Sequence, residues 1–268
     1  MIDNATDNAF LALHVPGTPL LMPNPWDIGT ARLLESLGFR ALATTSGGHA
    51  ASLGRLDGQV TPDEALAHAG ALAAAVSVPV SADLEDGFGP TPGGVADTAR
   101  AAATAGLAGF SIEDWSGEQM YDVAHAAERV TAASEAAPGL VLTARAENYF
   151  RQRDPDLAEV IARLQAYQEA GADVLYAPGL TDLADIGRLV AEVDRPVNVL
   201  AVPGLRSVDD LAAAGVARVS VGGAFCYLAV GALARAGAEL LGGGLGFLDR
   251  VPEGRTAVQR AFGPDPTT

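Results

Sequence analysis

The sequence contains no lysine, and all 17 of its Lys+Arg positions are arginine. Without a lysine amine there is no Schiff-base catalysis, no covalently held pyridoxal phosphate and no P-loop, so whole reaction classes drop out. The enrichment in Ala, Gly, Arg and Pro follows GC-rich codons, and the chemical exclusion holds whatever its origin. Cysteine is almost as scarce: Cys226 is alone, which excludes an internal disulfide. Positive charge is short overall. Thirty-three acids give a formal net charge of −16 and a pI near 4.5, which argues against nucleic acid or an anionic membrane as the main partner, since both require clustered cations. No run approaches the ~20 apolar residues that span a bilayer. The acidic start MIDNATDNAF has neither the basic end nor the apolar core of a secretory signal, so the expected location is the cytoplasm. No stretch is rich enough in Pro, Gly or Ser to divide the chain, and the expected organisation is one domain over residues 1–268.

What is present is a repeated unit. Short apolar segments recur, each ending in polar or Gly/Pro residues: PLLMPNPWD, RALATTSGG, VPVSADLED, AGFSIEDW, GLVLTARAEN, ADVLYAPGL, PVNVLAVPG and ARVSVGGAF. Between them lie stretches such as DLAEVIARLQAYQEAGA and DLADIGRLVAEV, in which apolar residues return every three or four positions, the helical period. Gly38, Gly106, Gly171 and Gly215 stand where helix C-terminal caps belong. Eight strand-then-helix units predict a (β/α)₈ barrel, a fold of ~250 residues, rather than an open doubly wound sheet. A C-terminal helix and arm follow from about residue 226.

In this fold the active site is built at the C-terminal ends of the strands, and the polar residues of the eight segments gather there. The second supplies Thr44, Thr45 and Ser46 with Gly47 and Gly48; the third Asp83 and Glu85; the fourth Glu113 and Asp114; the fifth Arg145 and Glu147. If Val78 to Glu85 is a strand, its period of two puts Asp83 and Glu85 on one face. Two acids that close either raise each other's pKa or hold a hard cation. The stretch SADLEDGFG alone reads equally well as an acidic turn; TTSGG alone reads rather as a flexible loop; and the alternative for Arg145 is internal pairing with Glu113 or Glu147. Acids converging from neighbouring strands on one inward arginine are costly unless a metal and an anionic ligand compensate them.

The segments PNPWDIGTARLLESLGFRALATTSGG, ADLEDGFG, FSIED and TARAEN, in this order and at these spacings, resemble the isocitrate lyase and phosphoenolpyruvate mutase superfamily, over about Pro23 to Phe225. The resemblance implies a Mg²⁺-dependent enzyme, with Mn²⁺ as a substitute ion. It would act on a small 2-oxo carboxylate or its adduct through an enolate, by C–C lyase or hydrolase chemistry. The alternatives are the P–C chemistry of the mutases and a non-catalytic 2-oxo acid binder. By the same resemblance Asp83 is the direct metal ligand, with Asp57, Glu85 and Glu113 around the metal's waters. Ser46 and Gly47, with Gly48, hold the substrate carboxylate, Arg145 contacts a substrate oxygen, and Asn198 and Pro203 line the pocket. The family more often has Asp where this chain has Glu85.

The chain departs from the family after the fourth strand. Lyases of the family carry Lys-Lys-Cys-Gly-His on a mobile loop there, whereas this chain reads IEDWSGEQMYDVAHAAERV. Glu118, Tyr121 and His125 are the titratable candidates for general acid or base, on a gate from about Trp115 to Tyr121. His125 falls in a helical pattern, which favours a surface helix residue over a catalytic one, and His49 is a further candidate. In VSVGGAF the glycine pair reads as a phosphate cradle or, better, as close helix packing, because Pro203 removes a donor from the facing loop. In the family the eighth helix is exchanged between paired subunits. The apolar CYLAVGALARAGAELL, Cys226 to Leu241, fits that device and implies a homodimer or homotetramer; burial within the same subunit is the alternative.

Overall fold

A computed structural model describes residues 8–263. Eight strands, β1 (Leu20–Met22), β2 (Leu42–Ala43), β3 (Val80–Asp83), β4 (Gly109–Glu113), β5 (Val141–Arg145), β6 (Val174–Tyr176), β7 (Val197–Leu200) and β8 (Arg218–Ser220), alternate with helices. All pair in parallel in the order β1-β8-β7-β6-β5-β4-β3-β2. The ring meets at the β1–β2 seam through one backbone bond just past β1, Ala43 N to Pro23 O at 3.1 Å. One side chain rivets this seam. Asn24 donates through Nδ2 to Thr44 O (2.8 Å), and its Oδ1 accepts from the amides of Val221 (3.0 Å) and Gly222 (2.9 Å).

The strands are apolar on both faces at one end and polar inside at the other. Outward residues, among them Ala82, Phe110, Ile112, Leu142, Leu175, Val199 and Val219, pack beneath the helices as the main core. Inside, Leu20, Met22, Ala41, Ala43, Val141 and Val174 form a second cluster, with Phe10 brought in by the N-terminal segment. Gly109 is required where that cluster is tightest, since a Cβ there would lie 2.5 Å from Val141 O and 3.0 Å from the Phe10 ring. Above this floor the inward positions turn polar, the arrangement that opens a barrel into a pocket at its C-terminal face.

The strand-to-helix loops end on side chains that cap the next helix: Asp27, Thr45, Thr61, Thr91, Asp122, Asp156, Asp182 and Ser207 each accept a backbone N–H of the first turn. Such caps are worth about 1 kcal/mol each. The four glycines expected at helix ends take the left-handed conformation, at φ +96° (Gly38), +77° (Gly106), +104° (Gly171) and +84° (Gly215).

Two local expectations are corrected. β3 stops at Asp83, and Glu85 sits beyond it at φ +50°, so a turn rather than strand alternation brings it beside Asp83. TTSGG is not a loop: Thr45 caps a helix, Ser46–Ser52. The helix Ala224–Leu241 is the outlier of the fold, because Cys226 is its one buried residue. Leu228 (66% exposed), Leu233 (73%) and Leu241 (93%) stand free of the protomer, so the same-subunit burial considered from the sequence is not observed. Counted as a helix it is long and apolar enough to cross a membrane by length and composition, with a mean hydropathy of 1.4 over 18 residues. That revises the reading that no run approaches such a span; the difference arises because Ala and Gly dilute the pattern around Arg235 and Glu239. The closing helix Val251–Phe262 returns to pack on the helix Ile28–Ser36.

Candidate active site

A cavity of about 730 Å³ opens at the C-terminal ends of the strands. Its β2–β5 side is acidic. Asp83, at the end of β3, accepts Arg145 Nη1 on Oδ1 (3.1 Å) and the amide of Ser46 on Oδ2 (3.1 Å), while its own amide donates to Thr44 Oγ1 (2.8 Å). Arg145, at the end of β5, also meets Glu113 Oε2 (2.8 Å) and Glu147 Oε1 (2.7 Å). One guanidinium thus faces three carboxylates, and both internal partners considered from the sequence are present. Asp57 and Glu85 line the same space.

The crowding shows in the proton affinities. Burial, followed by repulsion from Asp83, Asp57 and Asp86, pushes Glu85 up to about 7. Burial raises Glu113 well above the ordinary carboxylate range; Arg145 opposes this, and Glu147 and Asp83 add to it. Burial alone would lower Arg145, but the three acids outweigh it and hold the guanidinium firmly protonated. Arg151 adds only longer contacts, 3.9 Å to Glu113 and 3.7 Å to Glu147, so the acids of this wall still outnumber its arginines. An all-oxygen donor set in that condition suits a hard cation. Among the described residues no three His, Cys, Asp or Glu side chains gather tightly enough to cage an ion directly. An ion held here would therefore have to complete its shell with water.

The helix Ser46–Ser52 brings Ser46 and Gly47 to the cavity wall. A Cβ on Gly47 would lie 2.7 Å from the Tyr227 hydroxyl and 3.3 Å from the Asp57 carboxylate, so a side chain there would displace Tyr227 from the cavity wall. Gly48 does not line the cavity. It faces Thr45, Trp26 and Cys226, where a Cβ would meet Thr45 Cγ2 at 2.5 Å, and its amide donates to Thr45 Oγ1 (3.3 Å). Its glycine is explained by helix packing. Asn198 is buried on the opposite wall, donating to Ser220 Oγ (3.0 Å) and accepting Arg218 Nε (2.9 Å). Pro203 lies beyond the end of β7 and not in the cavity wall. The glycine pair after β8 follows the packing reading: the Val221 and Gly222 amides are engaged by Asn24, and a Cβ on Gly223 would meet the Tyr227 ring at 2.6 Å.

The gate candidates are not brought to the cavity. Trp115, Ser116 and Gly117 line it, but Glu118 is exposed beside it. Tyr121 donates its hydroxyl to Asp86 Oδ2 (2.9 Å) under the Arg129 guanidinium, and its own pKa is pushed up to about 12 by burial and by Asp86. Asp122 caps the helix Val123–Ala136 and draws the chain away from the mouth, so His125 sits in its first turn with Nε2 3.1 Å from Pro90 O. His49 stacks on His68 at 3.7 Å, also away from the cavity. Asp114 points outward to Arg163 (3.0 Å) and the Tyr167 hydroxyl (2.6 Å), a buried structural cluster.

Several cavity residues escaped the sequence reading, Arg151, Tyr176 and Ser220 among them, and two more show why. Tyr227 comes from the helix Ala224–Leu241, where an apolar pattern concealed it. Arg218 opens β8, and a charge in phase with Ser220 inside an apolar strand was the signal that could have found it.

Known proteins agree with this architecture. A family model for phosphoenolpyruvate phosphomutase matches residues 10–241. A solved Burkholderia cenocepacia J2315 protein, described as a candidate lyase/mutase, is 49% identical with a TM-score of 0.90 and 98% of both chains covered. The uncharacterized protein Rv1998c of Mycobacterium tuberculosis (strain ATCC 25618 / H37Rv) is 38% identical over 215 residues, 80% of this chain and 81% of its own. The 2-methylisocitrate lyase of Escherichia coli (strain K12) is 32% identical over 210 residues, 70% of each chain. With a barrel whose acids converge on Arg145 at the strand ends, this chain belongs to the phosphoenolpyruvate mutase family, within the isocitrate lyase and phosphoenolpyruvate mutase superfamily of lyases and mutases.

Proposed function

We propose that this chain is a Mg²⁺-dependent enzyme that cleaves a C–C bond beside the carbonyl of a small 2-oxo carboxylate or its adduct, as a lyase or hydrolase. The observation that carries this reading is Arg145 held among Asp83, Glu113 and Glu147 at the cavity, with Asp57 and Glu85 in the same wall. Breaking such a bond leaves charge on the carbonyl oxygen of an enolate, and a preorganised guanidinium there stabilises it where water is excluded. Asp83 would hold the ion directly, with Asp57, Glu85 and Glu113 on its waters; Mn²⁺ would serve in its place. The bound ion would supply electrostatic stabilisation and chelation of the 2-oxo acid. Ser46 and Gly47 would take the substrate carboxylate.

The non-catalytic reading has one observation in its favour: Glu118, Tyr121 and His125 all lie off the cavity wall. A screen for pyruvate and glyoxylate release separates the readings, run over 2-hydroxy di- and tricarboxylates, oxaloacetate and phosphonopyruvate with and without Mg²⁺. Metal-dependent C–C cleavage supports the lyase or hydrolase. Turnover of phosphonopyruvate alone would move the chain to P–C chemistry. Tight oxalate binding with no turnover would make it a binder.

The exposed face of the helix Ala224–Leu241 supports exchange of this helix between subunits of a homodimer or homotetramer. Light scattering on Leu233→Glu tests this; dissociation to monomers is expected, and an unchanged mass would locate the interface elsewhere.

A further inference from the structure

The β6–β8 side of the cavity holds a charge that the chemistry proposed above does not use. Arg218 is 3% exposed and points into the barrel. Its Nε donates to Asn198 Oδ1 (2.9 Å), and its Nη1 lies 3.3 Å from His14 Nε2. The other nitrogen of that ring, Nδ1, is 3.1 Å from Phe10 O. A carbonyl only accepts, so Nδ1 carries the proton and Nε2 offers its lone pair to the guanidinium. Burial, and then Arg218 itself, lowers His14 to about 3, which keeps the ring neutral. Both partners of Arg218 are uncharged.

The other enclosed arginines differ. Arg129 has Asp86, Arg163 has Asp114, and Arg145 has three carboxylates. Among the described residues Arg218 forms no ion pair, and its Nη2 makes no hydrogen bond to the protein. Burial pulls it down to about 10, the direction of a cation without a counter-ion, yet leaves it charged at neutral pH. A buried, uncompensated guanidinium is costly to the fold. It is also what an anion would complete.

The strand register gives the anion its place. Arg145 pairs with Tyr176, Tyr176 with Asn198, and Asn198 with Arg218, so the two arginines end one row that crosses four adjacent strands. All four residues line the same cavity. We propose that Arg218 is a second anion subsite, which takes the distal carboxylate of a substrate whose 2-oxo or 2-hydroxy acid end lies at Arg145. A carboxylate would take the unbonded Nη2 together with the second hydrogen of Nη1. The subsite rests on the reading of the metal end given above and narrows the substrate class to acids carrying a second carboxylate.

Calorimetric titration of the full chain with oxalate, succinate and glutarate, each with and without Mg²⁺, tests it on the parent, Arg218→Met and His14→Glu. In Arg218→Met, succinate or glutarate affinity should fall by ~100-fold, as for truncation of one partner of a buried charge pair, while oxalate with Mg²⁺ changes by less than about twofold. The ligand-free variant should melt at or above the parent temperature, because an unpaired buried charge has been removed. His14→Glu brings an internal carboxylate against the guanidinium and should abolish dicarboxylate binding with the arginine retained; it decides the matter if Arg218→Met does not fold. Parental dicarboxylate binding in either variant would overturn the subsite. So would a parent that binds oxalate with Mg²⁺ but neither longer acid. A parent that binds no oxalate yet shows Arg218-dependent succinate binding would keep the subsite and remove the metal end.

Discussion

The two walls of the cavity solve opposite electrostatic problems. On the β2–β5 side, Asp57, Asp83, Glu85, Glu113 and Glu147 outnumber their arginines, Arg145 at the centre and Arg151 at 3.7 Å from Glu147 and 3.9 Å from Glu113. On the β6–β8 side, Arg218 stands among Tyr176, Asn198 and Ser220 with no acid of its own. One wall holds surplus negative charge, the other an unneutralised positive one, although they are opposite arcs of a single ring of strands. Neither wall compensates the other, because Tyr176 and Asn198 separate them in the register. The proposed ligand, with one end on a metal ion and an anionic tail, would relieve the imbalance at both ends.

The contrast breaks most completely at Asp83. Asp83→Ala should abolish Mg²⁺-dependent oxalate binding, beyond the ~10–100-fold loss typical of residues that only support a ligand. Folding should be retained, since one repelling acid has gone. Titration calorimetry reads the first and a melting curve the second; parental binding would remove β3 from the metal site. Next in size is Arg145→Lys. Charge is kept but the fork that spans Asp83, Glu113 and Glu147 is lost, and turnover in the release assay should fall by ~10²-fold, the scale for one donor to a developing oxyanion. Near-parental turnover would make Arg145 structural.

A pH series sharpens the contrast more gently. Glu85 is raised from 4.5 to about 7 in the fold, so between those values the folded chain binds more protons than the unfolded one. Stability of the metal-free protein should therefore fall as pH rises through this window, and Glu85→Gln should flatten that slope. Denaturant melts at pH 5, 6 and 7 measure it; an identical slope in the variant would show that Glu85 is not the titrating group. The smallest effects belong to the loop beside the cavity and the helix turn that follows it. Glu118→Gln and His125→Gln should each change stability by no more than about 0.5 kcal/mol, as surface substitutions do, and leave turnover unaltered. A loss of ~10²–10⁴-fold in kcat, the range of general acid–base catalysis, would return the proton donor to this loop.

The acidic wall was legible in the sequence and the basic wall was not. Asp83, Glu113 and Arg145 terminate apolar strands, and a barrel sends strand ends to one mouth, so pattern and fold together located them. Glu85 was found for the wrong local reason, because a left-handed turn and not strand alternation points it inward. Gly48 looked like its neighbour Gly47, but helical geometry turns adjacent residues about 100° apart, which sends one to the cavity and the other to Cys226. Arg218 was hidden because its significance lies in an absence: only the packed structure shows that no carboxylate among the described residues reaches it and that His14, 204 residues earlier, does. Tyr227 was hidden because its helix was read for its apolar face.

The single backbone bond at the β1–β2 seam has a dynamic consequence. Every other pair of neighbouring strands is joined by a ladder, so the ring's least expensive opening is at Ala43, beside the residues that lead to Ser46 and Gly47. Local openings of this sort govern which amides exchange with solvent well before global unfolding. The Ala43 amide should accordingly exchange ahead of those of β4 and β5, and Asn24, whose one side chain spans both sides of the seam, sets how often the barrel breathes.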